Sequence, residues 1–226
     1  MGIRALLSEA MVAVLGGQTD RFRRLDQRRL FRDFRRRWKD VPQLRFSYAE
    51  RDQFYRFVYE KEIGSGPMDY LEFGCYRGAS IRAWLDIDSH PDSRFVGFDS
   101  FEGLPEDWHA QAGKGTFDTR GEPPAIDDPR VRFVKGRFQE SLRAFLDGFS
   151  ARAPLLVHLD ADLYSSTLFA LVTLNPAPGT LLLFDEFGDV LHEFRAFKDY
   201  LSAAGRSYEV VAARNDFQKI AVRLCE

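Results

Sequence analysis

The sequence predicts an α/β fold: a mostly parallel sheet covered by helices on both faces and preceded by an N-terminal helical cap. Three observations carry this expectation. From Met68 onward, short apolar runs alternate with helical stretches, the order expected when crossover helices join parallel strands. The chain has 226 residues, 45% of them hydrophobic, enough for one sizeable core and one catalytic unit. Gly64-Ser65-Gly66-Pro67 interrupts the chain just before the first strand. It divides a cap at 1–66 from a sheet domain at 67–226.

Composition narrows the function classes. Lys and Arg number 32 against 34 Asp and Glu, a net charge of -2. That excludes a globally basic nucleic-acid binder and a globally acidic disordered chain. Two cysteines, Cys75 and Cys225, exclude a disulfide scaffold or a cysteine-based zinc finger and suit a reducing cytosol. No apolar run reaches the roughly 18 residues that span a bilayer. The apolar stretch Ala5 to Leu15 holds Ser8 and Glu9 and lacks a dense basic start. A cytoplasmic protein without a cleaved leader is the expectation.

The first predicted element is basic. Residues 21–40 hold nine Arg, one Lys and three Asp, net +7. Phe22, Leu25, Phe31, Phe34 and Trp38 recur along it near helical spacing, which reads as an amphipathic helix with one apolar stripe. It either packs on the core or a second subunit, or docks an anionic partner such as a lipid headgroup, a polyanionic glycan or nucleic acid. With Ala5–Leu15 it also offers a homodimer interface. A second helix is expected over Tyr48–Glu62.

The sheet domain opens with a strand at Asp69–Phe73, the glycine turn Glu72-Phe73-Gly74-Cys75-Tyr76-Arg77-Gly78-Ala79-Ser80, and a helix at Ala79–Ile87. Gly74 and Gly78 permit a tight turn, and the helix start supplies free N–H groups. Ligands of such sheets sit at the carboxyl ends of strands, so a nucleotide-like cofactor belongs here. The G-x-x-x-G spacing departs from the dinucleotide fingerprint. The second strand, Arg94–Phe98, ends at Asp99-Ser100, with Asp99 21 residues after Gly78, where an acid accepts hydrogen bonds from ribose hydroxyls. Glu102 to Arg130 is rich in Gly, Pro and acids without a clear period, and reads as an active-site lid over 102–130. A third strand, Val131–Lys135, meets Gly136, and Phe138 opens a helix to Phe149, offering a ring to a purine or to the core. The candidate cofactor-binding set is Glu72, Gly74, Tyr76, Gly78, Ser80, Asp99, Ser100, Gly136 and Phe138.

Two further strands end in acids. Leu155–Leu159 runs into Asp160-Ala161-Asp162 before a helix at Ser165–Leu174. Thr180–Phe184 runs into Asp185-Glu186 before a helix at Leu191–Ala204. Neighbouring strand ends lie about 5 Å apart, so Asp160, Asp185 and Glu186 converge if these strands are adjacent. Clustered carboxylates repel, and a hard cation such as magnesium resolves the conflict. His158 shares a strand face with Asp160 and Asp162, pointing to the site or into packing beneath it. Asp162 is alternatively a helix cap. Trp108, Phe117 and Phe22 are candidates for an acceptor wall. Tyr208–Ala213 and Lys219–Leu224, joined by a short polar turn, complete the sheet as an antiparallel hairpin.

Together the segments LEFGCYRGAS, GFDSFEGLPEDW, VRFVKGRFQESL, HLDADLYSST and LLLFDEF resemble a class I S-adenosylmethionine-dependent methyltransferase. More narrowly, they are similar to the macrocin O-methyltransferase (TylF)-like family of sugar O-methyltransferases. The resemblance spans Leu71 to Phe187, and its D-S-F-E-G-L-P and D-x-D-L-Y-x-S-T segments are its specific part. It implies a Rossmann-like seven-stranded sheet in the order 3-2-1-4-5-7-6 with the last strand antiparallel. It implies S-adenosylmethionine as cofactor, with Glu72 and Gly74 at its methionine and ribose end, Asp99 on the ribose, and the Gly136–Phe138 turn beside the adenine. It also implies magnesium, or another divalent cation, on Asp160, Asp185 and Glu186. The acceptor it implies is a hydroxyl of a small molecule or sugar. The family has two aspartates after the fifth strand where this chain has Asp185-Glu186, and the lysine base of related catechol-type enzymes is replaced by Leu163. The proton acceptor is therefore sought among Asp160, His158 and His192, with Asp160 favoured. Competing readings are a nucleotide-dependent oxidoreductase and a binding or scaffold protein of methyltransferase fold, docked through the basic helix.

Overall fold

The structure, a computed structural model, describes residues 21–226. Ala5–Leu15, and the leader and dimer readings attached to it, lie outside those residues. The described residues divide into two units, residues 21–39 and residues 40–226.

The described part of the first unit is helix α1, residues 21–37. Its Asp26–Arg29 and Asp33–Arg36 pairs span one turn at 3.7 Å and are exposed, so each contributes little. Phe31 and Phe34 stack with centroids 6.4 Å apart. Phe22 is 66% exposed and Leu25 54%, so the expected apolar stripe is not continuously covered.

The second unit begins with a two-residue strand, β1 (Gln43–Leu44). The expected helix at Tyr48–Glu62 is two elements. Glu50 accepts hydrogen bonds from the Ser47 N–H at 3.0 Å and the Ser47 hydroxyl at 2.7 Å, and this capping closes a short 3-10 turn at Tyr48–Glu50. Helix α2 (Asp52–Glu62) follows and buries Phe54, Tyr55 and Val58.

Strands and helices then alternate: β2 (Asp69–Phe73), α3 (Ala79–Ile87), β3 (Arg94–Asp99), β4 (Val131–Lys135), α4 (Phe138–Leu146), β5 (Leu155–Leu159), α5 (Tyr164–Leu174), β6 (Leu181–Phe184), α6 (Glu193–Ala204), β7 (Ser207–Arg214) and β8 (Ile220–Cys225). Helix α4 stops three residues before the expected Phe149, and Thr180 lies outside β6. All residues of β2 and β6 are buried; β6 is accordingly a continuous apolar run, while β2 buries the charged Asp69 and Glu72 among its apolar residues. Trp84, Tyr55, Tyr70 and Phe95 are fully buried in one cluster, each ring contributing about 1.5–3 kcal/mol relative to exposure.

The sheet order is β1-β7-β8-β6-β5-β2-β3-β4. From β4 to β7 this is the expected seven-stranded order; β1, parallel to β7, adds an unanticipated eighth strand. The segment expected as a cap is thus partly built into the sheet unit. Strand β8 is antiparallel to both neighbours. Strands β2 to β6 are mutually parallel and in near register, so Gly74, Asp99, Gly136, Asp160 and Asp185 emerge along one edge. The order reverses between β2 and β5, which opens a crevice there.

Candidate active site

That crevice holds a cavity of about 310 Å³. Its β2–β4 side is lined by Gly74, Tyr76, Asp99, Ser100, Arg137 and Phe138, and its β5–β6 side by Asp160, Asp162, Asp185 and Glu186. Tyr48 from the 3-10 turn and Gly103, Leu104, Trp108 and Phe117 from the 102–130 loop complete the wall.

The glycine turn is shaped by close packing. Gly74 has φ +94°, and a Cβ there would overlap the backbone carbonyl of Asp160. Gly78, at φ +72°, is the N-cap of α3. Asp99 organises the turn: its Oδ2 accepts the N–H groups of Cys75 and Tyr76, each at 2.8 Å, and its Oδ1 accepts the Phe101 N–H at 2.7 Å. A carboxylate has about four acceptor positions, so capacity for a ribose hydroxyl remains. Phe138 meets Phe73 edge-on at 5.2 Å. Of the candidate cofactor residues, Gly74, Tyr76, Asp99, Ser100 and Phe138 line the cavity, while Glu72, Gly78, Ser80 and Gly136 do not. Arg137, Gln139 and Phe117 line it as well.

The acid side forms as the strand ends require. The Asp160 N–H donates to the Phe73 carbonyl and the Asp185 N–H to the Leu159 carbonyl, both at 3.0 Å. Among the described residues, His158, Asp160 and Asp185 place one possible ligand atom each within 4.8 Å of one another. Glu186 lines the cavity but stands outside that trio; the Glu193 carboxyl accepts its N–H at 2.9 Å. Burial, and then the charge of Asp160, push Glu186 up to about 7. Burial, Asp160 and Glu186 push Asp162 up to about 8. Burial, with like charge second, disfavours ionisation of these carboxyls, and a carboxylate-rich rim fits a hard divalent cation. Asp162 has φ +58° and lines the cavity instead of capping α5, whose N-cap is Leu163.

Of the two places left open for His158, the structure has the one beneath the site. It is fully buried, with Nδ1 2.7 Å from the Tyr70 hydroxyl and Nε2 3.2 Å from Asp185 Oδ1. Burial and then the Lys219 charge push it down to about 3, so it is neutral. The same Tyr70 oxygen is 2.6 Å from Glu72 Oε2. A hydroxyl has one hydrogen. Tyr70 gives its one hydrogen to Glu72 Oε2 and meets His158 Nδ1 through its oxygen. Burial raises the Glu72 carboxyl well above its usual range, against the Tyr70 hydrogen bond, which lowers it. His192 also lies off the cavity: it is the N-cap of α6 and accepts the Tyr164 N–H at 3.1 Å. Of the three candidate proton acceptors, Asp160 alone lines the cavity.

Two contributors had escaped the sequence reading. Tyr48 is one. The other is Lys219, which is 2% exposed and ion-paired with Asp185. Burial lowers its ammonium to about 7, against the pull of Asp160. Both come from segments distant in the chain, and only strand register brings them here. The 102–130 loop is tied down by its own Trp108, whose Nε1–H donates to Asp189 at 2.9 Å, and by Ser165, whose hydroxyl donates to Glu106 at 2.5 Å.

Residues 12–212 match the family described as Macrocin-O-methyltransferase (TylF). The chain belongs to this family. It is 29% identical over 202 residues to an 8-demethyl-8-(2,3-dimethoxy-alpha-L-rhamnosyl)-tetracenomycin-C 4'-O-methyltransferase of Streptomyces olivaceus, covering 75% of this chain and 72% of that one. Among solved structures, the O-methyltransferase NovP aligns with a TM-score of 0.59 at 21% identity, over 78% of this chain and 80% of NovP. CalS11, a calicheamicin methyltransferase, aligns with a TM-score of 0.59 at 22% identity, over 77% of each chain. These structures share the Rossmann-like class I methyltransferase fold. As a macrocin-O-methyltransferase family member, the chain is an O-methyltransferase.

Proposed function

We propose that the chain transfers the methyl group of S-adenosylmethionine to a hydroxyl of a sugar, with a magnesium ion held at the acid side of the cavity. One observation carries this reading. A single cavity joins the Asp99–Phe138 side to the Asp160–Asp185–Glu186 side, so a nucleoside cofactor and a cation-bound acceptor fit end to end. The sugar comes from the rhamnosyl acceptor in the name of the Streptomyces relative.

Asp99 accepts a ribose hydroxyl, and Phe138 supplies a ring face for the adenine. Tyr76 and Phe117, with centroids 5.4 Å apart, cover the cofactor from the solvent side. Asp160, Asp185 and Glu186 hold the ion. When bound, a divalent cation lowers the pKa of a coordinated hydroxyl and orients its oxygen. Holding the reactants in line supplies roughly 7–11 kcal/mol of the barrier. The hydroxyl proton goes to a carboxylate of this chain. With Asp160 assigned to the ion, Asp162, which lines the same side, is the better placed acceptor. The 102–130 loop acts as the lid, and the 1–66 segment shapes the acceptor end through Tyr48.

Calorimetric titration of S-adenosylhomocysteine, with magnesium and with chelator, tests the cofactor half. Binding in both conditions is expected. The metal half is tested by Asp185→Ala, which should abolish metal-dependent methylation of vicinal-diol glycosides and spare cofactor binding. Full activity in that variant would sink the metal assignment.

A further inference from the structure

Three groups of this chain converge on one oxygen of Asp185. The Tyr55 hydroxyl donates to Oδ1 at 3.4 Å, His158 Nε2 lies 3.2 Å from it, and Lys219 forms its ion pair with the same atom. Tyr55 and His158 are fully buried, and Lys219 nearly so. Every described polar contact of the Asp185 side chain falls on Oδ1, which leaves Oδ2 for the cavity that Asp185 lines.

A lysine in this place is costly. It immediately precedes Ile220-Ala221-Val222, all buried, and a buried ammonium loses its hydration. A buried ion pair is a poor source of stability by itself, because a well-packed apolar pair serves as well or better. Its arrangement is nevertheless specific. The antiparallel register Phe184↔Ile220 sets Lys219 beside Asp185 at the end of β6. The amine reaches this carboxylate from below while crossing the Tyr55 ring at 5.4 Å.

We propose that Lys219 is a positioning residue: together with His158 and Tyr55 it occupies the inner oxygen of Asp185, so that Asp185 offers a divalent cation one oxygen instead of two. The inference rests on the cation-bound reading of the acid side and deepens it. Magnesium takes six ligands in near-octahedral geometry. A carboxylate that chelates through both oxygens uses two of those positions. Clamping Oδ1 keeps one position available for the oxygens of the acceptor. The amine also competes directly with the ion for Oδ1, in either of its protonation states.

The competition gives the test its sign. Titration of manganous ion alone into the full chain, followed by calorimetry and by the electron paramagnetic resonance of the free ion, is compared between the native chain and Lys219→Met. The variant is expected to bind manganese about fivefold more tightly, since it frees Oδ1 and removes a positive charge beside the ion. Its affinity for S-adenosylhomocysteine without metal should stay as in the native chain. Unchanged or weaker manganese binding in a folded Lys219→Met would overturn the inference and leave Lys219 a packing residue. If Lys219→Met fails to fold, Lys219→Gln is measured in its place, with tighter binding again expected and unchanged or weaker binding again fatal. Absence of manganese binding to the native chain would overturn the metal reading itself, and this inference with it; the native titration separates that case from the other.

Discussion

His158 Nε2 stands 3.2 Å from Asp185 Oδ1, at the meeting point of the sheet floor and the acid side of the cavity. Through it, a buried polar line runs from Glu72 to Tyr70 to His158 to Asp185, from under the glycine turn to under the carboxylates. Glu72, Tyr70 and His158 are fully buried, so each depends on its neighbours for hydrogen bonds, while Asp185 ends the line at the cavity.

Tyr70 sits in the middle of that line. Tyr70→Phe removes one oxygen and leaves His158 Nδ1 and the Glu72 carboxyl without their shared partner. The loss should be about 1–3 kcal/mol. Urea unfolding of the two proteins measures it, and an unchanged midpoint would show that the line contributes nothing.

Gly74 has no room for a side chain. At φ +94° an alanine is strained by about 1–3 kcal/mol, and its Cβ would press on the Asp160 carbonyl. Gly74→Ala should lower the melting temperature and weaken S-adenosylhomocysteine binding together. Normal calorimetric affinity in this variant would place the cofactor elsewhere.

Asp162 is assigned the acceptor proton. Asp162→Asn removes its basicity with little change in shape, and turnover should fall by about 10²–10⁴. Cofactor affinity should hold. A variant that keeps its kcat returns the role to Asp160.

Asp69 makes the fold acid-sensitive. Its carboxylate receives Arg94 through two bonds of 2.6 and 2.7 Å and the N–H groups of Arg152 and Ala153 at 2.6 and 3.2 Å. Burial alone would raise this carboxyl, but Arg94 and the two amides outweigh it and hold it below 3.8. A depressed folded value means that the stabilisation is complete above the unfolded value, about 3.9, and is lost as pH falls through the folded one. Asp69→Asn should therefore cost about 1–3 kcal/mol at pH 7, with the gap to the native chain closing below pH 4. A gap that persisted in acid would contradict the assignment.

Strand Leu155–Leu159 shows how far local pattern reaches. Its apolar run announced a buried parallel strand, and the acids that follow it announced a ligand edge. The two-residue face rule, however, placed His158, Asp160 and Asp162 together. In the folded chain Asp162 turns to φ +58°, so extended geometry ends before it and the face rule ends with it. His158 goes beneath the site, while Asp160 and Asp162 line it.

Strand β2 was read at its observed bounds because residues buried on both faces must all be apolar or internally paired, a demand visible one residue at a time. The acids at the ends of β5 and β6 were visible for the same reason, since each stands directly after an apolar run. Lys219 and Tyr48 carry no such local mark. Their places depend on which strands pair and in what register, as with Phe184 opposite Ile220. Sequence alone therefore determined the strand–helix order, the cofactor turn and the acid edge. Tertiary structure decided which of those side chains reach the cavity and which distant residues join them, because pairing energy is shared between segments that neither segment encodes by itself.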